Sequence, residues 1–95
     1  MSATDEEKYL LHQDDFWSKQ GKNNLKPNAS VMYMKLLFWF LKNRWPETAK
    51  IDNSVITRTF KISDKKFVEA RFALIDKKFI RFNELTGEYR IEPIF

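Results

Sequence analysis

The stretch 53–91 constrains the fold most, because its apolar residues follow a helical period first and a strand period afterwards. Ser54 and Ser63 each precede a helical pattern, and a serine oxygen in that position can accept a first-turn N–H. Only the connection 61–63 separates the two patterns. The spacing therefore predicts a short helix, a tight turn and a longer helix beginning at Asp64.

The longer helix is predicted to have one apolar face, whose members recur every three or four residues and end in a lysine stem. They are Phe67, Ala70, Leu74 and Lys78. The period then changes to two, as at Tyr89 and Ile91, around a turn in which Gly87 can adopt positive φ. The sequence thus predicts a mainly α (α+β) protein: a winged helix-turn-helix whose wing is the C-terminal β-hairpin.

Residues 1–24 are predicted to form an additional N-terminal amphipathic helix and its connector, ahead of a winged-helix domain at 25–95, all within one compact domain. The helix, 5–18, is expected to pack on the domain through one apolar arc. That arc contains Tyr9, Leu10, Phe16 and Trp17. Residues 18–28 are polar and favour a connector. The only histidine, His12, is expected to have a surface or rim role, because alone it supports neither a metal site nor a triad.

Residues 28–43 are apolar nearly all round, which predicts a helix covered on more than one side by the N-terminal helix or by a second subunit. A narrow polar strip remains at Asn28, Lys35 and Lys42. The pair Trp45-Pro46 is expected to end this helix, because the residue before a proline avoids the α region. Ile51 is predicted to lie in a short strand that pairs with the wing.

Charge and composition limit the classes of function. Residues 1–18 carry five acidic residues and one basic residue, Lys8, so their net charge is −4. The rest of the chain therefore carries +8, which gives the total of +4 and suits a polyanionic partner such as DNA. No cysteine is present, no apolar run is long enough to span a membrane, and no Gly-rich phosphate loop or metal-ligand spacing occurs. The sequence therefore favours a cytoplasmic protein that is not an enzyme and uses no catalytic residue, cofactor, metal, small molecule or membrane.

Residues 63–80 have a characteristic order: an N-cap serine, basic and polar residues, a basic residue near the middle, a leucine and a lysine-rich end. These positions are Ser63, Lys65, Lys66, Arg71, Leu74, Lys77 and Lys78. In this order the chain resembles the winged-helix domains of phage and plasmid replication initiators, the DnaD-like replisome organisers, over about residues 25–91. The resemblance implies a DNA-binding module of a phage, plasmid or mobile-element replication or regulatory protein in a bacterial or phage-infected cell, and transcription regulators share the pattern.

Domains of this kind place the second helix of the motif in the major groove and lay the wing along the backbone of double-stranded DNA. The resemblance implies two groups of contacts. The residues implied at the groove are Ser63, Lys65, Lys66 and Glu69. The residues implied at phosphates are Arg58, Lys61, Lys77 and Arg81.

The alternative function is a winged-helix module that binds protein and does not read DNA. Residues 63–92 contain seven basic and six acidic residues, so the predicted DNA-binding region is nearly neutral. Phe72 falls on the outward arc of the second helix beside Val68, which suggests a contact with protein, and Trp17 is a third candidate. The partner would be a second copy of the chain or a replication protein. Lys78 stands where a glycine usually ends this helix, and a left-handed lysine there would cost about 1 kcal/mol.

Overall fold

The computed structural model describes residues 4–23, 25–58 and 60–93. The described residues form helices α1 to α4 and strands β1 to β3. Their bounds are α1 Asp5–Asn23, α2 Pro27–Lys42, β1 Ala49–Lys50, α3 Asn53–Thr57, α4 Asp64–Asp76, β2 Ile80–Asn83 and β3 Glu88–Ile91. The strands make one antiparallel sheet in the order β1-β3-β2. The prediction of a mainly helical α+β protein is confirmed.

The helix α2 lies at the centre of the core. It begins at Pro27, whose fixed φ suits a first turn and whose missing N–H is not needed there. Its buried residues occupy an arc of about 160° at 100° per residue. They are Ala29, Ser30, Met32, Tyr33, Leu36, Leu37 and Phe40. Burial, together with the charge of Asp15, raises the pKa of the Tyr33 hydroxyl well above its usual value of 10.0.

The polar strip predicted on α2 is only partly exposed. Asn28 and Lys35 are half-buried, and the exposed positions of α2 are Pro27, Val31, Phe38 and Lys42. Both α1 and α4 pack against α2, and a strip of mixed polar and apolar residues remains exposed to solvent. The central helix α2 thus exposes two large apolar side chains, Val31 and Phe38.

The α3–α4 segment is built on two side-chain caps. Ser63 is the N-cap of α4, as predicted, and its Oγ accepts the Lys66 N–H at 3.3 Å. The cap of α3 was assigned wrongly to Ser54: Asp52 lies outside the helix, and its Oδ1 accepts the Ser54 N–H at 3.4 Å. Because α3 ends at Thr57 and α4 begins at Asp64, the connection between them is longer than predicted.

The end of α4 is a Schellman motif. The Phe79 N–H donates to the Leu74 carbonyl at 2.9 Å, and the Lys78 N–H donates to the Ile75 carbonyl at 3.0 Å. Lys78 has φ 62°, so it adopts the left-handed region that a glycine would occupy without strain. Its side chain is therefore exposed and does not complete the apolar stripe, whereas the other predicted members, Phe67, Ala70 and Leu74, are buried.

The end of α2 repeats this geometry. The Trp45 N–H donates to the Phe40 carbonyl at 2.7 Å, and Arg44 has φ 61°. Trp45 itself has φ 50° and precedes Pro46, which fits the exclusion of that residue from the right-handed α region. The helix ends at Lys42, before the predicted Trp45-Pro46 pair, and the chain turns toward β1.

The hairpin follows the predicted alternation. Ile80, Tyr89 and Ile91 are buried, and Gly87 in the turn has φ 75°. The strand predicted at Ile51 is present but lies earlier: β1 pairs Ala49 with Tyr89, and Ile51 is buried just beyond it. The sheet thus packs one face on the helices and holds the hairpin against the end of α4.

The first helix, α1, is anchored by one fully buried aromatic ring. The Phe16 ring stacks on Tyr33 at 4.5 Å between centroids and meets the edge of Phe79 at 4.9 Å. These contacts confirm that the helix packs on the domain. Its bounds were predicted wrongly, because α1 continues through Gly21 to Asn23 and most of the predicted connector is helical. The predicted domain boundary at residue 24 lies outside the described residues.

The buried side of α1 also differs from prediction. Leu10 and Trp17, which were assigned to the apolar arc, are exposed, and His12 is buried. The Nδ1 atom of His12 lies 2.7 Å from the Lys8 carbonyl oxygen, so it donates there, and its ring lies 5.1 Å from that of Trp45. The surface role predicted for His12 is therefore wrong, because the left-handed turn after α2 brings an indole ring to this face of α1.

Candidate nucleic-acid interface

All eight side chains predicted to contact DNA are exposed. Ser63 fixes the start of α4, so Lys65 and Lys66 stand in the first turn and Glu69 follows in the second. Arg58 and Lys61 lie in the connection that leads into this turn. The structure therefore brings six of the eight residues to the α3–α4 connection and the first two turns of α4.

The charge at this end of α4 is positive. From residue 58 to residue 66 the chain carries Arg58, Lys61, Lys65 and Lys66, against the single carboxylate of Asp64. The first-turn N–H groups add the positive end of the helix dipole. An anion that approaches the start of α4 thus meets side-chain and backbone charge of the same sign.

Lys77 lies at the opposite end of α4. At 1.5 Å per residue it is about 18 Å along the axis from Lys65. A hollow of about 360 Å³ between α4 and the start of α2 contains both signs of charge: Lys26, Lys66 and Lys77 with Glu69 and Asp76. This hollow is not a uniformly cationic cradle, and its carboxylates limit its attraction for phosphate.

Arg81, which was predicted to contact phosphate, already pairs with a carboxylate of the protein. Its Nε forms an ion pair with Oε1 of Glu92. The turn between β2 and β3 carries Glu84, and Glu88 begins β3 and accepts the Thr48 hydroxyl at 3.1 Å. The hairpin tip is therefore acidic, which limits the help it can give in binding phosphate.

Arg71 has a role that the sequence did not reveal. Its guanidinium lies 4.1 Å from the centroid of the Phe82 ring, and its Nη1 donates to the Tyr89 hydroxyl at 3.3 Å. Burial raises the pKa of Tyr89, while the hydrogen bond and the charge of Arg71 act in the opposite direction. Arg71 therefore joins α4 to the hairpin and takes no part in the basic end of α4.

The predicted protein-contact residues divide between two surfaces. Val68 and Phe72 lie on the outer face of α4, where Phe72 is 67% exposed. Trp17 lies elsewhere, on the rim of a groove between α1, α2 and α3. Sequence reasoning missed this groove, although the seven-residue spacing of Val31 and Phe38 within α2 is a signal that could have indicated it.

The described residues were also compared with the requirements of a membrane span and of a metal site. No described helix is both long enough and apolar enough to cross a membrane. Within the described ranges, no cluster of three or more His, Cys, Asp or Glu side chains is placed to hold a metal ion. Comparison of the chain with protein-family models, curated proteins and solved structures gives no match. Function is therefore inferred from the chain's own residues and geometry.

Proposed function

We propose that the chain is a winged helix-turn-helix module that binds double-stranded DNA, with α4 as its recognition helix. One observation carries the proposal: the exposed basic first turn of α4 follows the short helix α3 and precedes the hairpin. The sheet order β1-β3-β2 supports the assignment, because the hairpin then extends from the end of α4 as a wing. The sequence resemblance adds the setting: replication or regulation in a phage, plasmid or mobile element, in the cytoplasm.

The dimensions of α4 suit this role. The helix is about 20 Å long and can lie in a major groove about 12 Å wide. Lys65 and Lys66 at its start would reach base edges, and Glu69 could accept from the exocyclic amine of cytosine. Arg58 and Lys61 before the helix and Lys77 after it would contact phosphates on the two sides of the groove.

A double charge reversal, Lys65→Glu with Lys66→Glu, tests this interface. Ser63 caps the helix, so a glutamate at position 66 would complete a capping box, and both acidic residues would favour the helix dipole. We expect the variant to be as stable as the parent or slightly more stable, yet to lose binding to duplex DNA. Loss of binding could then not be ascribed to unfolding.

The measurement is fluorescence anisotropy of random and AT-rich duplexes across a salt series. With three cations at phosphates, Arg58, Lys61 and Lys77, log K of the parent should fall against log salt with a slope of up to about −2.7. The double variant should show no binding across the same salt series. Lys42→Glu with Lys50→Glu is the matched control, because it makes the same charge change away from α4. Equal loss in both variants would reject α4 as the interface and leave only non-specific attraction.

A second candidate function is a winged-helix module that binds protein. The specific observation is the outer face of α4, where Phe72 is 67% exposed next to exposed Val68. This function predicts concentration-dependent self-association in sedimentation experiments, which Phe72→Ser should abolish. Leu85→Ser, at the hairpin tip, removes an even more exposed apolar side chain and is the control. A monomer at all concentrations that binds DNA tightly would eliminate self-association through this face.

A further inference from the structure

We infer that the groove between α1, α2 and α3 binds an acidic amphipathic helix of a partner protein. The exposed stripe of α2 forms its floor, while Tyr9 and Trp17 of α1 and Val55 of α3 stand at its sides. The groove has a volume of about 640 Å³. It does not involve the first turns of α4, and Arg58 is the one described lining residue that it shares with the proposed DNA interface.

Large apolar side chains converge on this groove although solvent reaches them. Four of them line it: Phe38 is 52% exposed, Trp17 48%, Val55 42% and Val31 39%. They come from three different helices and are partly supported from below by half-buried Met34 and Trp39. A contiguous apolar surface with contributions from several elements indicates an interaction site more strongly than scattered apolar residues do.

The charges of the groove specify the chemistry of the partner. Its lining contains Lys35, Lys42 and Arg58, and none of the described residues that line it is acidic. The Lys42 ammonium lies 5.5 Å from the centroid of the Phe38 ring, so a positive charge borders the apolar floor directly. A partner that combines apolar anchors with flanking carboxylates would match both properties.

The spacing along α2 indicates a helical partner. Val31 and Phe38 are seven residues apart, and Lys35 and Lys42 repeat the same interval four residues later. From Val31 to Lys42 the stripe extends about 16 Å, the length of three helical turns. Helices form the walls, so the groove offers no strand edge, and an amphipathic helix in a groove is the recognition mode that fits.

A second copy of the chain is a poorer occupant. The exposed side of α1 is acidic and includes Leu10 and Leu11, but Glu7, Asp14 and Ser18 occupy the adjoining turns. A helix that fills a groove needs apolar anchors repeated every three or four residues along one face. The outer face of α1 lacks that repeat, so a partner with more anchors is favoured.

Two synthetic peptides of about 14 residues test the inference. Both carry leucine anchors one turn apart, and they differ only in having glutamate or lysine on the flanks. Binding is followed by the fluorescence of the protein, since Trp17 and Trp39 line the groove. We expect the glutamate peptide to bind saturably, and the lysine peptide to bind at least about tenfold more weakly at low salt.

Two exposed phenylalanines provide a matched pair of variants. Phe38→Ser should weaken binding of the glutamate peptide by about tenfold or more, whereas Phe72→Ser, on α4, should leave it unchanged. Lys42→Glu should weaken the glutamate peptide and strengthen the lysine peptide. The Lys65→Glu and Lys66→Glu variant should bind the peptide normally, so failure of the DNA proposal would not affect this result.

Three outcomes would overturn the inference. Equal binding of the two peptides would show apolar adhesion without charge selection. Absence of binding by a folded protein would show that the groove is not a helix site. A dimer in sedimentation experiments that Phe38→Ser dissociates, and that the glutamate peptide cannot displace, would assign the groove to a second copy of the chain.

Discussion

Replacement of Lys78 by glycine should stabilise the protein, although it removes a side chain. Lys78 occupies the C′ position of α4 with φ 62°, and its side chain is exposed. The left-handed region costs a residue other than glycine about 1–2 kcal/mol, because Cβ approaches the following carbonyl oxygen. Glycine removes that strain, but it adds about 0.4–1 kcal/mol of conformational entropy to the unfolded chain.

The net gain should therefore be about 0.5–1 kcal/mol in the free energy of unfolding. Unfolding entropy of about 2.1 cal/mol/K per residue gives about 0.2 kcal/mol/K for a chain of 95 residues, so Tm should rise by about 2–5 °C. Both quantities can be measured by urea unfolding and by thermal melting followed by circular dichroism.

The adjacent lysine provides a control of opposite sign. Lys77 has φ −88°, which any residue adopts without strain, so Lys77→Gly should only increase the entropy of the unfolded chain. It should lower the stability by about 0.5–1 kcal/mol. If both glycine variants lost stability equally, the left-handed strain assigned to Lys78 would be refuted.

Two further predictions concern the contacts that hold the hairpin and the core. Arg71→Met should lower the free energy of unfolding in urea by about 1.5–3 kcal/mol, because the Tyr89 hydroxyl loses a charged donor. A variant that lost DNA binding at unchanged stability would contradict this structural role. Tyr33 has a raised pKa in the folded state, so its contribution to stability is complete below its unfolded pKa of 10.0 and is lost as pH rises above that value. Without the Tyr33 hydroxyl, the free energy of unfolding of Tyr33→Phe should fall less steeply with pH, by up to about 1.4 kcal/mol per pH unit. Thermal melts from pH 9 upward measure this, and a pH profile equal to that of the parent would contradict the prediction.

The sequence predicted α4 and the hairpin well because their signals are local. The Ser63 cap, the apolar spacing of Phe67 and Leu74, and the turn at Gly87 each depend on neighbouring residues only. The anticipated strain at Lys78 follows from the same local logic: the helix must end, and the chain offers no glycine there. Short-range chemistry therefore specified this half of the fold.

The first helix was predicted less well because its orientation depends on distant residues. An arc calculated at 100° per residue grouped Leu10 and Trp17 with Phe16, since all of them are apolar. The stacking partners of Phe16 are Tyr33 and Phe79, which lie far along the chain and rotate the buried face toward His12. No local pattern contains that information.

The charge of the candidate interface shows the same limit. Between residues 63 and 92 the sequence counts seven basic and six acidic residues, which describes a nearly neutral surface. Two of those cations already make contacts within the protein: Arg71 lies against the Phe82 ring, and Arg81 pairs with Glu92. Lys65 and Lys66 remain exposed together at the start of α4, where the dipole adds to their charge. The attraction for a polyanion is thus concentrated at the α3–α4 end, and the test of DNA binding belongs there, not on the acidic hairpin.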